Sequence, residues 1–289
     1  MKTKHLFWIF LLISVISFTS CDDDKSENNT PTPFRIDKQS YEVMQGGYVH
    51  IYINNGSGKI DFSIGNPQII SASYQEGTSD NSCLGIIRIE GKQKGETKIA
   101  LTDPVTHETE ILQVKVIDRY LVYAIEESNH PALKSGIVMY LVNNEKRECY
   151  FFPYADSKHK VSDHLIAKGT YSFSSKTEHA TEVSSSTDAI PYLTLGYPAD
   201  AKGNFTDATI PPTPHDFKFE MENGTTSYVV LNLIQRYLDV DWKELTPKDA
   251  STRSDIIINP LLTMTVDDTN YSITGTFNTI PAIPEGILE

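Results

Sequence analysis

From Phe34 onward the chain is written in short apolar–polar alternations, each closed by Gly, Asn, Asp or Pro. Successive side chains on a strand point to opposite faces, so period-two alternation buries one face of a sheet. Residues 59–64 put Ile60, Phe62 and Ile64 on one face. Ile87 and Ile89 share a face within 84–90, and Tyr171 and Phe173 within 169–174. Residues 48–53 (YVHIYI) are rich in β-branched and aromatic residues, which favour strands. The pattern predicts an all-β protein.

Two domains are expected. In 34–118, strands recur at roughly 8–12-residue spacing with Gly/Asn/Pro turns between them, which predicts an antiparallel sandwich. In 119–289, strands are expected at 120–125, 136–142, 148–154, 169–174, 192–197, 217–221, 227–233, 262–266 and 271–277, with hairpin tips at 143–146, 222–224 and 267–270. This second antiparallel β domain reads equally as a lipocalin-like barrel or as a sandwich. A barrel has the advantage of leaving no open edge. Long loops are expected at 155–165, 175–191 and 198–215, and one short helix at 240–250, where Thr246 precedes Pro247.

The first twenty residues have another character. Lys2 and Lys4 precede an apolar run from Leu6 to Phe18, followed by Thr19 and Ser20. This describes a secretory signal. The run is shorter than the roughly 20 residues that span a bilayer. Phe18-Thr19-Ser20-Cys21 resembles the bacterial lipobox, with Phe18 in place of the usual leucine. The resemblance implies that Cys21 becomes a lipidated N-terminus carrying two or three palmitate-type acyl chains. One such chain binds a membrane only reversibly, and several hold it firmly. Asp22, Asp23 and Asp24 resemble the surface-export signal of Bacteroidota lipoproteins. Residues 21–33 form an acidic and polar tether. The expected location is the outer membrane, lipid-anchored and facing the cell surface, with membrane lipid as a partner.

The formal net charge of -13 disfavours nucleic acid as a partner. Beyond Cys21, Cys83 and Cys149 remain, one in each domain, and are expected as separate buried thiols. Residues 89–103, with Gly91, a basic turn and Gly95 before Ile99, resemble the closing strands of bacterial immunoglobulin-like (group 2) domains. That resemblance implies an Ig-like sandwich acting as a spacer.

No residue pattern argues for catalysis: there is no nucleophile elbow, phosphate loop or paired metal-ligand histidines. We expect no enzyme, cofactor or metal. His130, His159, His164, His179 and His215 are expected in solvated loops, and His50 as a hydrogen-bonded histidine within a sheet. Asp239-Val240-Asp241-Trp242 places two carboxylates beside Trp242, with Tyr237 nearby. Aromatic rings stack on sugars and apolar ligands, which makes Tyr237, Asp239, Asp241 and Trp242 the candidate ligand-binding residues. The same stretch also reads as a strand end with Trp242 capping the core. The expected function is a non-catalytic binding module for a glycan or a small apolar ligand. Fimbrillin-like pilus components also follow a lipobox with two all-β domains, and Arg35 lies near their cleavage position. That similarity implies a structural or adhesive role as the alternative. An accessory hydrolase, encouraged only by the long loops, is the third.

Overall fold

The computed structural model describes residues 31–77, 83–155, 160–178, 188–207, 209–220, 225–242, 261–266 and 269–288. Cys21, Asp22, Asp23 and Asp24, the 222–224 tip, His159 and His179 lie outside these residues, as does the expected helix from 243 onward. The described chain is all-β apart from one helix.

Seven strands form the first domain: β1 (Ser40–Met44), β2 (Tyr48–Ile53), β3 (Asp61–Ile64), β4 (Ile70–Glu76), β5 (Gly85–Gly91), β6 (Gly95–Thr102) and β7 (Thr109–Ile117). They make two sheets, ordered β1-β7-β6-β3 and β2-β5-β4, with β1 parallel to β7. The inward sets include Ile51, Ile53, Ile87 and Ile89 from one sheet and Ile99, Leu101, Leu112 and Val114 from the other, and they pack into one core. The alternation legible in the sequence therefore marks a sandwich.

The second domain is a closed barrel of β8 (Tyr120–Ser128), β9 (Ile137–Val142), β10 (Glu148–Pro153), β11 (Ala167–Glu178), β12 (Asp188–Tyr197), β13 (Thr213–Glu220), β14 (Leu261–Val266) and β15 (Ser272–Asn278). Each strand pairs antiparallel with the next, and β15 returns to β8. Of the barrel and the sandwich, the chain forms the barrel. Two of the expected loops shrink. Pairing of β11 with β12 continues out to Glu178 and Asp188, and β13 begins at Thr213.

The barrel interior is filled with side chains, among them Tyr123, Phe151, Tyr197, Phe217, Phe219 and Phe277. β9 is buried at every position, and β8 from Tyr120 to Ile125. Their outward residues Tyr120, Val122, Val138 and Tyr140 form a second cluster with Ile283 and Leu288 of the C-terminal segment. A strand covered on both faces reads as a continuous apolar run, and LVYAI and IVMYLV do so.

The C-terminal segment also ties the two domains together. Lys115 Nζ donates to the Leu288 carbonyl at 2.7 Å, Gly286 N donates to Glu42 Oε1 at 3.2 Å, and Lys38 pairs with Glu285. Directly at the junction, Gln45 N donates to the Ile117 carbonyl at 2.9 Å. Cys83 and Cys149 are both free thiols. Cys149 is buried, whereas Cys83 is only partly covered, in the bend that precedes β5.

The strand expected at 227–233 is instead part of helix α1 (Thr225–Leu238). Val230, Leu231, Ile234 and Leu238 are buried against the barrel core, a spacing of one helical face. The β-branched and aromatic run YVVL favours a strand locally, and burial of the 230/234/238 face overrides it. Arg119 donates from Nη1 to the Arg236 carbonyl at 2.9 Å, and Arg147 from Nη1 to the Leu238 carbonyl at 2.6 Å. Two guanidinium groups thus meet the negative end of the helix.

Candidate functional site

Strand β2 lies at the edge of its sheet. Its odd-numbered residues Val49, Ile51 and Ile53 turn inward, which sends Tyr48, His50 and Tyr52 to solvent. Tyr48 and Tyr52 are 58% and 57% exposed. The ring centroids of Tyr48 and His50 are 5.0 Å apart and those of His50 and Tyr52 6.4 Å, with planes inclined at 40° and 77°. His50 is therefore the middle ring of a surface row, not an interior sheet histidine. Burial of the alternate residues decides which way it points.

The register extends this face over the sheet. Tyr48 lies opposite Glu90 and then Ser71, His50 opposite Arg88 and then Ser73, and Tyr52 opposite Ile86 and then Gln75. A row of aromatic rings thus runs beside two rows that are mostly hydrogen-bonding groups. Arg88 stacks on the Tyr48 ring at 4.3 Å and pairs with Glu90 at 3.6 Å.

On its free side β2 borders a groove of about 290 Å³, lined in part by His50 and Tyr52 together with Arg35, Asp37, Tyr41 and Asn54. Asn55 also lines it and is tied to Arg35. Its Oδ1 accepts from Arg35 N at 2.8 Å and its Nδ2 donates to the Arg35 carbonyl at 3.0 Å. The phenol of Tyr41 is held protonated by partial burial and by the nearby Asp37 and Glu285 carboxylates. It can therefore donate a hydrogen bond across the working pH range.

The loop beside this groove is fixed from beneath by Asp103, which is fully buried. Asp103 accepts from Ser57 N at 2.6 Å, Ser57 Oγ at 2.7 Å, Val105 N at 2.8 Å and Thr106 N at 3.1 Å. Burial opposes the charge, yet these four donors outweigh it and lower the carboxyl to about 2. Gly56 has φ +81°, and a Cβ there would come within 2.6 Å of Asp103 Oδ2. Glycine is required both by the turn and by the approach of the carboxylate.

The residues singled out in the sequence lie elsewhere, at the helix end of the barrel. Trp242 is only 4% exposed, and its ring packs edge-on to Phe173 at 5.6 Å. It caps the core, which corrects its expected part as a ligand-stacking surface. Tyr237 is partly buried against the same core. Asp239, at φ +51°, ends α1, pairs with Arg119 and accepts from Asn143 Nδ2 at 2.7 Å. Asp241 is exposed on the next turn of chain. These four share a neighbourhood without forming an aromatic platform.

Two of the expected solvated histidines are covered. His130 is 4% exposed, and its Nδ1 accepts from Ala132 N and Leu133 N, both at 3.1 Å. Burial, reinforced by His215, lowers its pKa to about 4. His215 is on β13, stacked on Tyr197 at 4.6 Å, and burial lowers its pKa too. Both imidazoles are neutral near pH 7 and close the mouth opposite α1. His164 is exposed, as expected.

A larger groove of about 700 Å³ runs between the domains, with Lys94, Asp118, Glu148 and Lys168 in its walls. These four are paired, Lys94 with Asp118 at 2.7 Å and Lys168 with Glu148 at 2.8 Å. Among the described residues, no three His, Cys, Asp or Glu side chains are placed to hold a metal ion. The missed signal for the surface row was the alternation within YVHIYI itself, where three ring-bearing residues occupy one parity.

No family model matches the chain, and no curated protein does. Among solved structures it is similar to domains 5-6 of the S-layer protein SbsC, at 11% identity over 65% of this chain and 96% of that one, with a TM-score of 0.25. It is similar to domains 4-9 of the surface layer protein SbsC at the same identity and TM-score, over 65% of this chain and 31% of that one. Overlap at this level carries no argument about what the chain does.

Proposed function

We propose that this protein is a lipid-anchored, non-catalytic glycan-binding protein of the outer membrane, and that the glycan docks on the β2 face of the first domain. The observation that carries the reading is the exposed row Tyr48, His50 and Tyr52 beside a groove of polar side chains. Aromatic faces bind the apolar face of a sugar ring, and flanking amides, hydroxyls and carboxylates meet its hydroxyl edge. An apolar ligand in the barrel fits less well, because Tyr123, Phe151, Phe217 and Phe277 occupy the interior. In this reading the barrel and its C-terminal segment hold the first domain in a fixed pose.

A glycan array probed with the full chain tests it. Specific signals that fall when Tyr52 becomes alanine support the reading, and a blank array opposes it. The anchor has its own test. Cys21→Ala is expected to release the chain from membranes or leave it unprocessed, and membrane-bound protein of mature size would oppose lipidation. Protease treatment of intact cells tests the surface display assigned to Asp22, Asp23 and Asp24. Full protection of the chain would oppose it.

A further inference from the structure

Resting on that reading, we propose that the β2 face takes the interior of an uncharged, extended glycan chain lying along the strand, and neither a chain end nor a charged sugar. The rings of Tyr48, His50 and Tyr52 occupy successive outward positions of one strand, at centroid steps of 5.0 and 6.4 Å. Alternate positions on a strand are about 6.5 Å apart. Each step is on the scale of one sugar ring, so the row spans several linked units and not one.

The strip is open where a chain-end site needs a wall. Beyond Tyr48 the backbone turns at Gly46, and a Cβ placed there would meet no heavy atom within 4 Å. At the other end Tyr52 leads into the groove past Asn54 and Asn55. A chain can therefore run on in both directions. Neighbouring ring planes are inclined at 40° and 77°, so the row presents ring edges as well as faces.

Charge complementarity sets the second half of the proposal. Among the described residues, the cations along the strip are engaged by carboxylates: Arg88 by Glu90, Arg35 by Glu108 and Glu110, and Lys38 by Glu285. Asp37 adds a further negative charge in the groove. A uronate or sulfate would have to break these pairs and face the carboxylates. A cationic sugar would meet Arg88 lying on the Tyr48 ring. An uncharged polyhydroxyl chain meets neither obstacle.

The test is calorimetric titration of the full chain with neutral gluco-, xylo- and manno-oligosaccharides of one to six units, and with heparin and polygalacturonate. The proposal expects affinity for at least one neutral series to rise tenfold or more between two and four units and then level off. Tyr48→Ala and Tyr52→Ala should each lower that affinity at least tenfold, with unchanged melting temperature. Tyr52→Trp should retain it. Equal affinity for monosaccharide and hexasaccharide, or preference for the polyanions, would overturn this inference while leaving glycan binding intact. Absence of binding to every probe, joined to a blank glycan array, would overturn both.

Discussion

Arg147 Nη1 reaches the carbonyl oxygen of Leu238 over 2.6 Å, and so joins the β9–β10 turn to the last residue of helix α1. The same Nη1 donates to Asn143 Oδ1 at 2.7 Å, and Asn143 donates to Asp239. The helix is therefore latched at its C-terminus as well as packed along its face. Arg147→Met should cost about 1.5–3 kcal/mol, the loss expected for a hydrogen bond from a charged donor. Urea unfolding measures it. Asp239→Gly keeps the positive φ but loses both the exposed Arg119 pair and the Asn143 hydrogen bond, so it should cost about 1–2 kcal/mol.

Acid should weaken the fold in two stages. His130 is buried, with its folded pKa lowered to about 4. The unfolded chain takes up its proton first, so the stabilisation is present above about pH 6.5 and is lost as pH falls towards 4. Asp103 is lowered to about 2, so its share is present above about pH 4 and is lost between 4 and 2. Unfolding free energy measured against pH should show both limbs. His130→Asn should flatten the upper limb and Asp103→Asn the lower one. Asp103→Ala should also cost about 2–3 kcal/mol at neutral pH through lost hydrogen bonds to a charged group.

The C-terminal segment should couple the two domains. Ile283 is buried on the outer barrel face, and the Ile283 amide meets the Tyr120 hydroxyl at 3.3 Å. Ile283→Ala should destabilise the chain by about 2–5 kcal/mol. Removing residues 279–289 should split a single calorimetric transition into two, since Lys115, Glu42 and Lys38 lose their partners on that segment. A single unshifted transition would oppose the coupling.

Most of the fold could be read from alternation because the buried face of a sheet imposes period two. The strands of Ile51, Ile53, Ile87 and Ile89 follow in this way, whereas the face expected from Ile60, Phe62 and Ile64 does not, because Ile60 precedes β3 and Phe62 is exposed. Helix α1 could not be read locally, because its β-branched run points to a strand and only the 230/234/238 spacing reveals the buried face. The site was misplaced for a related reason. Trp242 is the most conspicuous aromatic residue after the leader, but residue type does not report exposure, and its ring lies in the core. Tyr48, His50 and Tyr52 were visible as a strand, and their shared parity held the information. What the sequence lacked was the other sheet, which buries Ile51 and Ile53 and thereby fixes the outward side. The loop under Asp103 needed tertiary knowledge as well, because Ser57 and Asp103 lie on different strand connections.

The most direct test of the central claim is affinity electrophoresis of the full chain through gels carrying neutral polysaccharides, alongside the Tyr48→Ala/Tyr52→Ala double variant. Both side chains are largely exposed, so the variant should fold and melt as the parent does. The account predicts that the parent is retarded by at least one polysaccharide and that the variant runs as in a blank gel. Equal retardation of the two proteins would contradict it.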